Sequence, residues 1–232
     1  MSMSIRRRIA LLEWANRSGC AIIEDDYDSE FRFGGRPIEP LQALDAHGRV
    51  VYVGSFSKTM LPTLRLGFLV APPSLRPALE TAEYLSDWHS PLATQGAMAR
   101  FVADGHFARH VRRMRTVYQA RHALMIDGVA RSMADHLEVV PSAVGLHVAA
   151  FARGAAARRV DTALRHAASA GVACYPLSMF SAHTARPGLV LGYGAIAREQ
   201  IGAGIARLSE AFQRACSVTA SPRSRSTTWA RR

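Results

Sequence analysis

Three short apolar runs, each meeting a polar cluster at its end, constrain what this chain can fold into. Cys20-Ala21-Ile22-Ile23 runs into Glu24-Asp25-Asp26, and Val50-Val51-Tyr52-Val53 runs into Gly54-Ser55. The stretch from Leu64 to Ala71 is stopped by Pro72-Pro73. Runs of four to eight apolar residues between turn signals read as buried strands, and these three suit a mostly parallel sheet. Helical periodicity surrounds them. Ile9, Leu12 and Ala15 mark an amphipathic helix over 5–17 that Gly19 closes, and helices are expected over 74–86, 92–103 and 107–134.

Beyond residue 134 the texture changes. Short strands are expected over 137–140, 146–151, 172–175 and 189–191, with helices over 158–170 and 197–213. Ile201, Ile205 and Leu208 lie on one face of the last helix. The class is α/β: a larger domain (1–106), a long connecting helix (107–134), a small α+β domain (135–214) and a disordered basic tail (215–232).

Composition narrows the function classes. At 232 residues and 49% hydrophobic, the chain can bury a sizeable core. No apolar run approaches the roughly 20 residues that span a bilayer, and the start does not read as a signal peptide. Cys20, Cys174 and Cys216 are scattered without metal-ligand spacing and suit a reducing cytoplasm. The net charge of +11 invites a nucleic-acid reading. However, Arg223, Arg225, Arg231 and Arg232 sit in the tail. Arg100, Arg109, Arg112, Arg113, Arg115 and Arg121 sit in one helical stretch, where a solvated basic face is the default. There is no nucleic-acid-binding motif, so direct DNA binding is not expected of this chain.

Of the 29 lysine and arginine residues only Lys58 is a lysine, in Gly54-Ser55-Phe56-Ser57-Lys58-Thr59. A primary amine can lose its proton and join a carbonyl; a guanidinium cannot. The polar clusters at the strand ends complement it, since open parallel sheets bind ligands beyond the carboxyl ends of their strands. Ser55, Ser57 and Arg65 offer two hydroxyls and a guanidinium for a phosphate. A carboxylate of Asp25-Asp26 could pair with a protonated ring nitrogen, and Tyr27 could bond a ring oxygen. These are the needs of pyridoxal phosphate. The residues alone leave Asp25 and Asp26 undistinguished.

Glu24-Asp25-Asp26-Tyr27-Asp28-Ser29-Glu30-Phe31, the Lys58 motif and Leu64-Arg65-Leu66-Gly67 together resemble the fold-type I, class I/II aminotransferase domain. More narrowly, they resemble its version in MocR-type regulators of the GntR family. Leu11-Leu12-Glu13-Trp14-Ala15, Gly35-Arg36-Pro37, Gly145-Leu146-His147 and Leu191-Gly192-Tyr193 add to the resemblance, which runs from about Ile5 to Phe212.

The resemblance implies roles. Lys58 is the internal-aldimine lysine, Asp25 pairs with the pyridine nitrogen, Tyr27 bonds the ring oxygen, and Ser55, Ser57 and Arg65 hold the phosphate. It implies a small amino-acid or amine ligand and a homodimer. It also implies that the chain begins near the middle of the domain, behind a phosphate-binding turn and several strands, as a truncated form. An uncovered apolar face and an exposed edge are then expected of its small sheet. Where related enzymes place a carboxylate-binding Arg, this chain has Leu177-Ser178-Met179-Phe180, with Arg186 close by. Three readings follow: an effector module of a MocR-like regulator, an aminotransferase moving an amino group between an amino acid and a 2-oxo acid, or an inactive fragment.

Overall fold

The computed structural model describes residues 3–34, 39–88, 91–182 and 186–217. Gly35-Arg36-Pro37 and the tail beyond Ser217 lie outside the described residues. The chain is α/β and forms two compact units, Met1–Gln119 with Ser142–Leu146 and Ala120–Pro141 with His147–Arg232.

In the first unit, α1 (Ile5–Ser18) ends where Gly19 turns left-handed at φ 65° and its N–H reaches the Ala15 and Asn16 carbonyls. Strand β1 (Ile22–Asp26) pairs in parallel with β2 (Val50–Ser55), in a register running from Ile22↔Val50 to Asp26↔Gly54. The acidic residues therefore belong to the strand itself, because pairing continues through Asp26. A single-turn helix, α2 (Leu41–Leu44), lies between the two strands in sequence. Glu24 caps it, accepting the N–H groups of Leu41 at 2.8 Å and Gln42 at 3.0 Å.

Strand β3 (Gly67–Val70) runs antiparallel to β2, with Ser55 opposite Gly67. This corrects the expectation of three parallel strands. The connection, residues 56–66, holds only a 3-10 turn at Pro62–Leu64. A parallel return needs a crossover of roughly a dozen residues or more, usually through a helix. The sheet order is β1-β2-β3, and the helices α3 (Arg76–Asp87), α4 (Leu92–Ala103) and α5 (His106–Ser132) follow.

The first unit has a thin core. Among the described residues its buried hydrophobic side chains are Ala15, Phe31, Leu41, Val50, Leu66 and Met98. Helix α3 buries none of its residues, and β3 is exposed along its length. Ile23 on β1 and Leu69 on β3 are 74% and 52% exposed, so apolar surface on this small sheet stands in solvent.

The second unit is better filled. Strands β4 (Leu137–Val139), β5 (His147–Ala152), β6 (Tyr175–Pro176) and β7 (Gly188–Gly192) form an antiparallel sheet in the order β4-β5-β7-β6. The register sets Val148 against Leu191 and Ala150 against Leu189, all four buried. Helix α6 (Val160–Ser169) and helix α7 (Ile201–Ser217) pack on each other. Ile201, Ile205, Leu208 and Phe212 of α7 recur at helical spacing and are buried. Each such side chain contributes about 1.5–3 kcal/mol on leaving water.

Candidate functional site

The geometry of β1–β3 decides which polar groups meet. Side chains alternate across a strand, so partners in register share a face. Asp25 lies beside Val53, and Ser55 follows two residues on; Asp25 and Ser55 therefore share one face of the sheet. Glu24, Asp26, Tyr52 and Gly54 share the other.

On that other face Asp26 is fully engaged. Its carboxylate accepts the Ser29 N–H at 3.1 Å, the Ser29 hydroxyl at 2.6 Å and the Tyr52 hydroxyl at 2.9 Å. Burial, reinforced by the bond to Asp26, holds the Tyr52 phenol well above its ordinary range, so it stays a donor. Asp25 takes no part in this network and is exposed. Two carboxylates that the sequence left equivalent thus have different partners and different faces.

The Lys58 turn leaves the end of β2. The Ser55 hydroxyl accepts the Ser57 N–H at 3.1 Å. The Phe56 N–H donates to the Leu66 carbonyl at 3.1 Å, carrying the ladder one step past the strand. The Phe56 ring packs against Phe68 at 5.3 Å and edge-on to Phe107 at 5.6 Å. The Met60 N–H closes the turn on the Phe56 carbonyl at 2.8 Å. Lys58 itself is exposed, and among the described residues no carboxylate forms a salt bridge with it.

Arg65 comes to the same end of the sheet. It precedes by two residues Gly67, the partner of Ser55. It caps the 3-10 turn in a left-handed conformation at φ 50°, ψ 40°, unusual for a residue with a side chain. Tyr27, just past β1, is 46% exposed. Asp28, then burial, then Asp25 raise its phenol above the ordinary value of 10.0, which keeps it protonated.

The structure thus gathers Asp25, Ser55, Ser57, Lys58 and Arg65 at the carboxyl ends of β1 and β2, with Tyr27 following β1. They are not enclosed together. A cleft of about 470 Å³ is lined by both Asp25 and Asp26, with Arg8, Glu24, Glu30 and Arg115, but Lys58 and the phosphate-type residues do not line it. Donors and acceptors nevertheless suit pyridoxal phosphate: a free carboxylate, two hydroxyls, an unpaired primary amine and a guanidinium. In the second unit, Arg186 is already occupied. It pairs with Glu138 at 2.9 Å and lies over the Phe151 ring at 4.2 Å. These partners, and the Tyr52 hydroxyl on Asp26, are not readable from the sequence, because each contact joins distant segments.

Residues 9–190 match the family described as aminotransferase class I and II. The chain is 38% identical over 227 residues to the probable rhizopine catabolism regulatory protein MocR of Rhizobium meliloti, covering 97% of this chain and 45% of that protein. It is 37% identical over 211 residues to the uncharacterized HTH-type transcriptional regulator YhdI of Bacillus subtilis, covering 90% and 45%. The chain spans about half the length of these curated relatives. Among solved structures it is similar to the kynurenine aminotransferase of Pyrococcus horikoshii, with a TM-score of 0.82, 28% identity, and coverage of 95% of this chain and 54% of that one. It is also similar to LysN, the alpha-aminoadipate aminotransferase of Thermus thermophilus complexed with N-(5'-phosphopyridoxyl)-L-leucine, with a TM-score of 0.82, 27% identity, and coverage of 93% and 56%.

Proposed function

The chain belongs to the class I and II aminotransferase family, and we propose that it is the pyridoxal-phosphate-binding, aminotransferase-like module of a MocR-type transcriptional regulator. The observation that carries the reading is the separation of the two β1 carboxylates. Asp26 is consumed by Ser29 and Tyr52, while Asp25 is left open on the face it shares with Ser55.

When bound, pyridoxal phosphate supplies an aldehyde that condenses with a primary amine, releasing water, and a protonated ring that draws electrons from the attached carbon. This chain's residues would hold and orient it. Lys58 supplies the amine. Asp25 keeps a ring nitrogen protonated by offering it a full negative charge. Tyr27 donates its phenolic hydrogen to a ring oxygen. Ser55, Ser57 and Arg65 take the phosphate, where a guanidinium fork matches the oxygens.

The ligand is a small amino acid or amine, as the LysN conjugate with leucine supports. A homodimer in the cytoplasm is the expected setting, and DNA recognition belongs to a winged-helix domain rather than to these residues. No helix among the described residues is long and apolar enough to cross a membrane. The similarity to aminotransferases favours a second reading, an enzyme that completes amino-group transfer to a 2-oxo acid.

The test is direct. Purified chain is titrated with pyridoxal phosphate, following its visible absorbance and the mass increment after borohydride trapping, with Lys58→Ala as control. Attachment confined to Lys58 is expected. A wild type no different from Lys58→Ala would sink both readings. Amino acids are then added with and without a 2-oxo acid. Binding without turnover fits the regulator module, and a full cycle fits the enzyme.

A further inference from the structure

The Lys58 turn is tied to helix α5 by two residues three apart, on one helical face. Phe107 meets the Phe56 ring edge-on. His110 Nε2 lies 2.9 Å from the Thr59 carbonyl oxygen. A carbonyl only accepts, so Nε2 is the nitrogen that carries the proton. Thr59, next to Lys58, is 2% exposed, and its buried hydroxyl has no hydrogen-bond partner among the described residues. Its side chain therefore adds no polar tie, and the carbonyl is the atom through which the His110 ring holds the residue.

We propose that His110 is a positioning residue for the Lys58 amine: from α5 it grips the Thr59 carbonyl and fixes the turn that carries the lysine. The surrounding ties explain why one more bond matters. The Ser57 N–H to Ser55 and the Met60 N–H to Phe56 close the turn on itself. The Phe56–Leu66 bond ties its first residue to the segment leading into β3. Among these hydrogen bonds, only the one from His110 fastens the far side of the turn, beyond Lys58, to a different element. Without it the residues after Lys58 are held mainly by packing, and the amine samples more positions relative to Asp25 and Ser55. An exposed amine gains little from its own surroundings, so its placement depends on the backbone beneath it.

The inference rests on the reading of Lys58 as the cofactor's point of attachment, and the test separates the two. His110→Ala and His110→Gln are compared with wild type as full chains. Glutamine carries an amide N–H at about the reach of imidazole Nε2, so it restores the bond without the ring. Two readouts are taken. One is the concentration of pyridoxal phosphate needed for half-attachment at Lys58. The other, without cofactor, is amide hydrogen exchange in the peptide spanning 56–60, with β1 and β2 peptides as internal controls.

Loss of one such bond weakens attachment about fivefold. The expected result is that shift in His110→Ala, faster exchange confined to 56–60, and recovery to within about twofold of wild type in His110→Gln. An alanine variant indistinguishable from wild type overturns the proposal. So does a glutamine variant as impaired as alanine, since ring packing would then be what matters. If wild type itself takes up no cofactor, the functional reading fails separately. The exchange data then decide: faster, glutamine-rescued exchange at 56–60 upholds the grip on the turn, and unchanged exchange removes it.

Discussion

Tyr52 donates its hydroxyl to Asp26 Oδ2 at 2.9 Å, and with the two bonds from Ser29 this makes Asp26 a structural carboxylate. Asp25, one residue earlier, faces the opposite side of the sheet with Ser55. Substituting the two should separate folding from binding. Asp26→Asn replaces an acceptor of charge-assisted bonds by a weaker one and is expected to cost about 1–3 kcal/mol in urea unfolding. Asp25→Asn should leave stability within about 0.5 kcal/mol, as surface changes do, and weaken pyridoxal phosphate attachment at least about tenfold. The reverse pattern would make Asp26 the ring partner.

Arg65 stands in the left-handed region at φ 50°, a conformation that costs a residue with a Cβ roughly 1–2 kcal/mol. Glycine removes that strain but adds freedom to the unfolded chain, worth about 0.5–1 kcal/mol. Arg65→Gly is therefore expected to be at least as stable as wild type, and Arg65→Ala to keep the strain. Both should lose affinity for inorganic phosphate in a competition titration against pyridoxal phosphate. If Arg65→Gly binds phosphate as wild type does, the guanidinium is not a phosphate group's partner.

Much of this arrangement is legible in the sequence, and the parts that are not share a cause. The apolar runs at Ile22 and Val50 mark strands, and residues 92–103 mark α4, because burial and periodicity are local signals. Strand direction is not local. The third run reads the same whether β3 is parallel or antiparallel, and only the length of the 56–66 connection, too short for a crossover, tells them apart. Pairing partners are equally silent. Nothing near Asp25-Asp26 says that Tyr52 will claim the second carboxylate, and nothing near Thr59 points to His110, fifty-one positions away. The expected strand over 172–175 shrinks to Tyr175–Pro176, because pairing with β7 begins only at Tyr175. Helix α7 starts at Ile201 rather than Ala197, since Arg198–Gln200 form a 3-10 turn first.

Asp45 sets an acid limit on the first unit. Burial pushes its carboxyl upward, but N–H bonds from His47 at 3.0 Å, Val50 at 2.8 Å and Arg49 at 2.6 Å outweigh this and hold it below the ordinary 3.8. A carboxyl lowered in the folded state stabilises above its unfolded value, and the gain is lost as pH falls through the folded one. Protection of the Arg49 and Val50 amides, taken relative to their intrinsic exchange rate at each pH, should hold above the ordinary carboxylate range and fall as pH drops below it. Asp45→Asn should exchange faster already at neutral pH and lose that acid step. A variant that keeps the step would assign it to another group.

Cys174 should be the slow thiol. Burial raises it to about 11, so roughly one molecule in a thousand carries the thiolate at pH 8. Alkylation followed by peptide mass analysis is expected to leave Cys174 nearly untouched at pH 8 and to accelerate about tenfold per pH unit toward 11. Rapid labelling at pH 8 would mean that the β6 segment opens readily.

Gly54 ties the strand that leads into the Lys58 turn to an aromatic cluster. A Cβ at this position would overlap the Phe68 ring. Moving that ring aside gives up its packing against Tyr52 at 6.0 Å and Phe56 at 5.3 Å. Overpacking of this kind costs about 1–3 kcal/mol, so Gly54→Ala should unfold at lower urea than wild type. The cause can be isolated. Phe68 is 40% exposed, so Phe68→Ala alone should cost less than a fully buried phenylalanine, and removing the ring also removes the obstacle. The double variant Gly54→Ala with Phe68→Ala is therefore expected to be more stable than the sum of the singles by at least about 1 kcal/mol. Strict additivity would show that the new methyl meets something other than the ring. Because Phe56 rests on the same ring and begins the Lys58 turn, the single Gly54→Ala variant should also lose pyridoxal phosphate affinity, and the double variant should regain less of that affinity than of its stability.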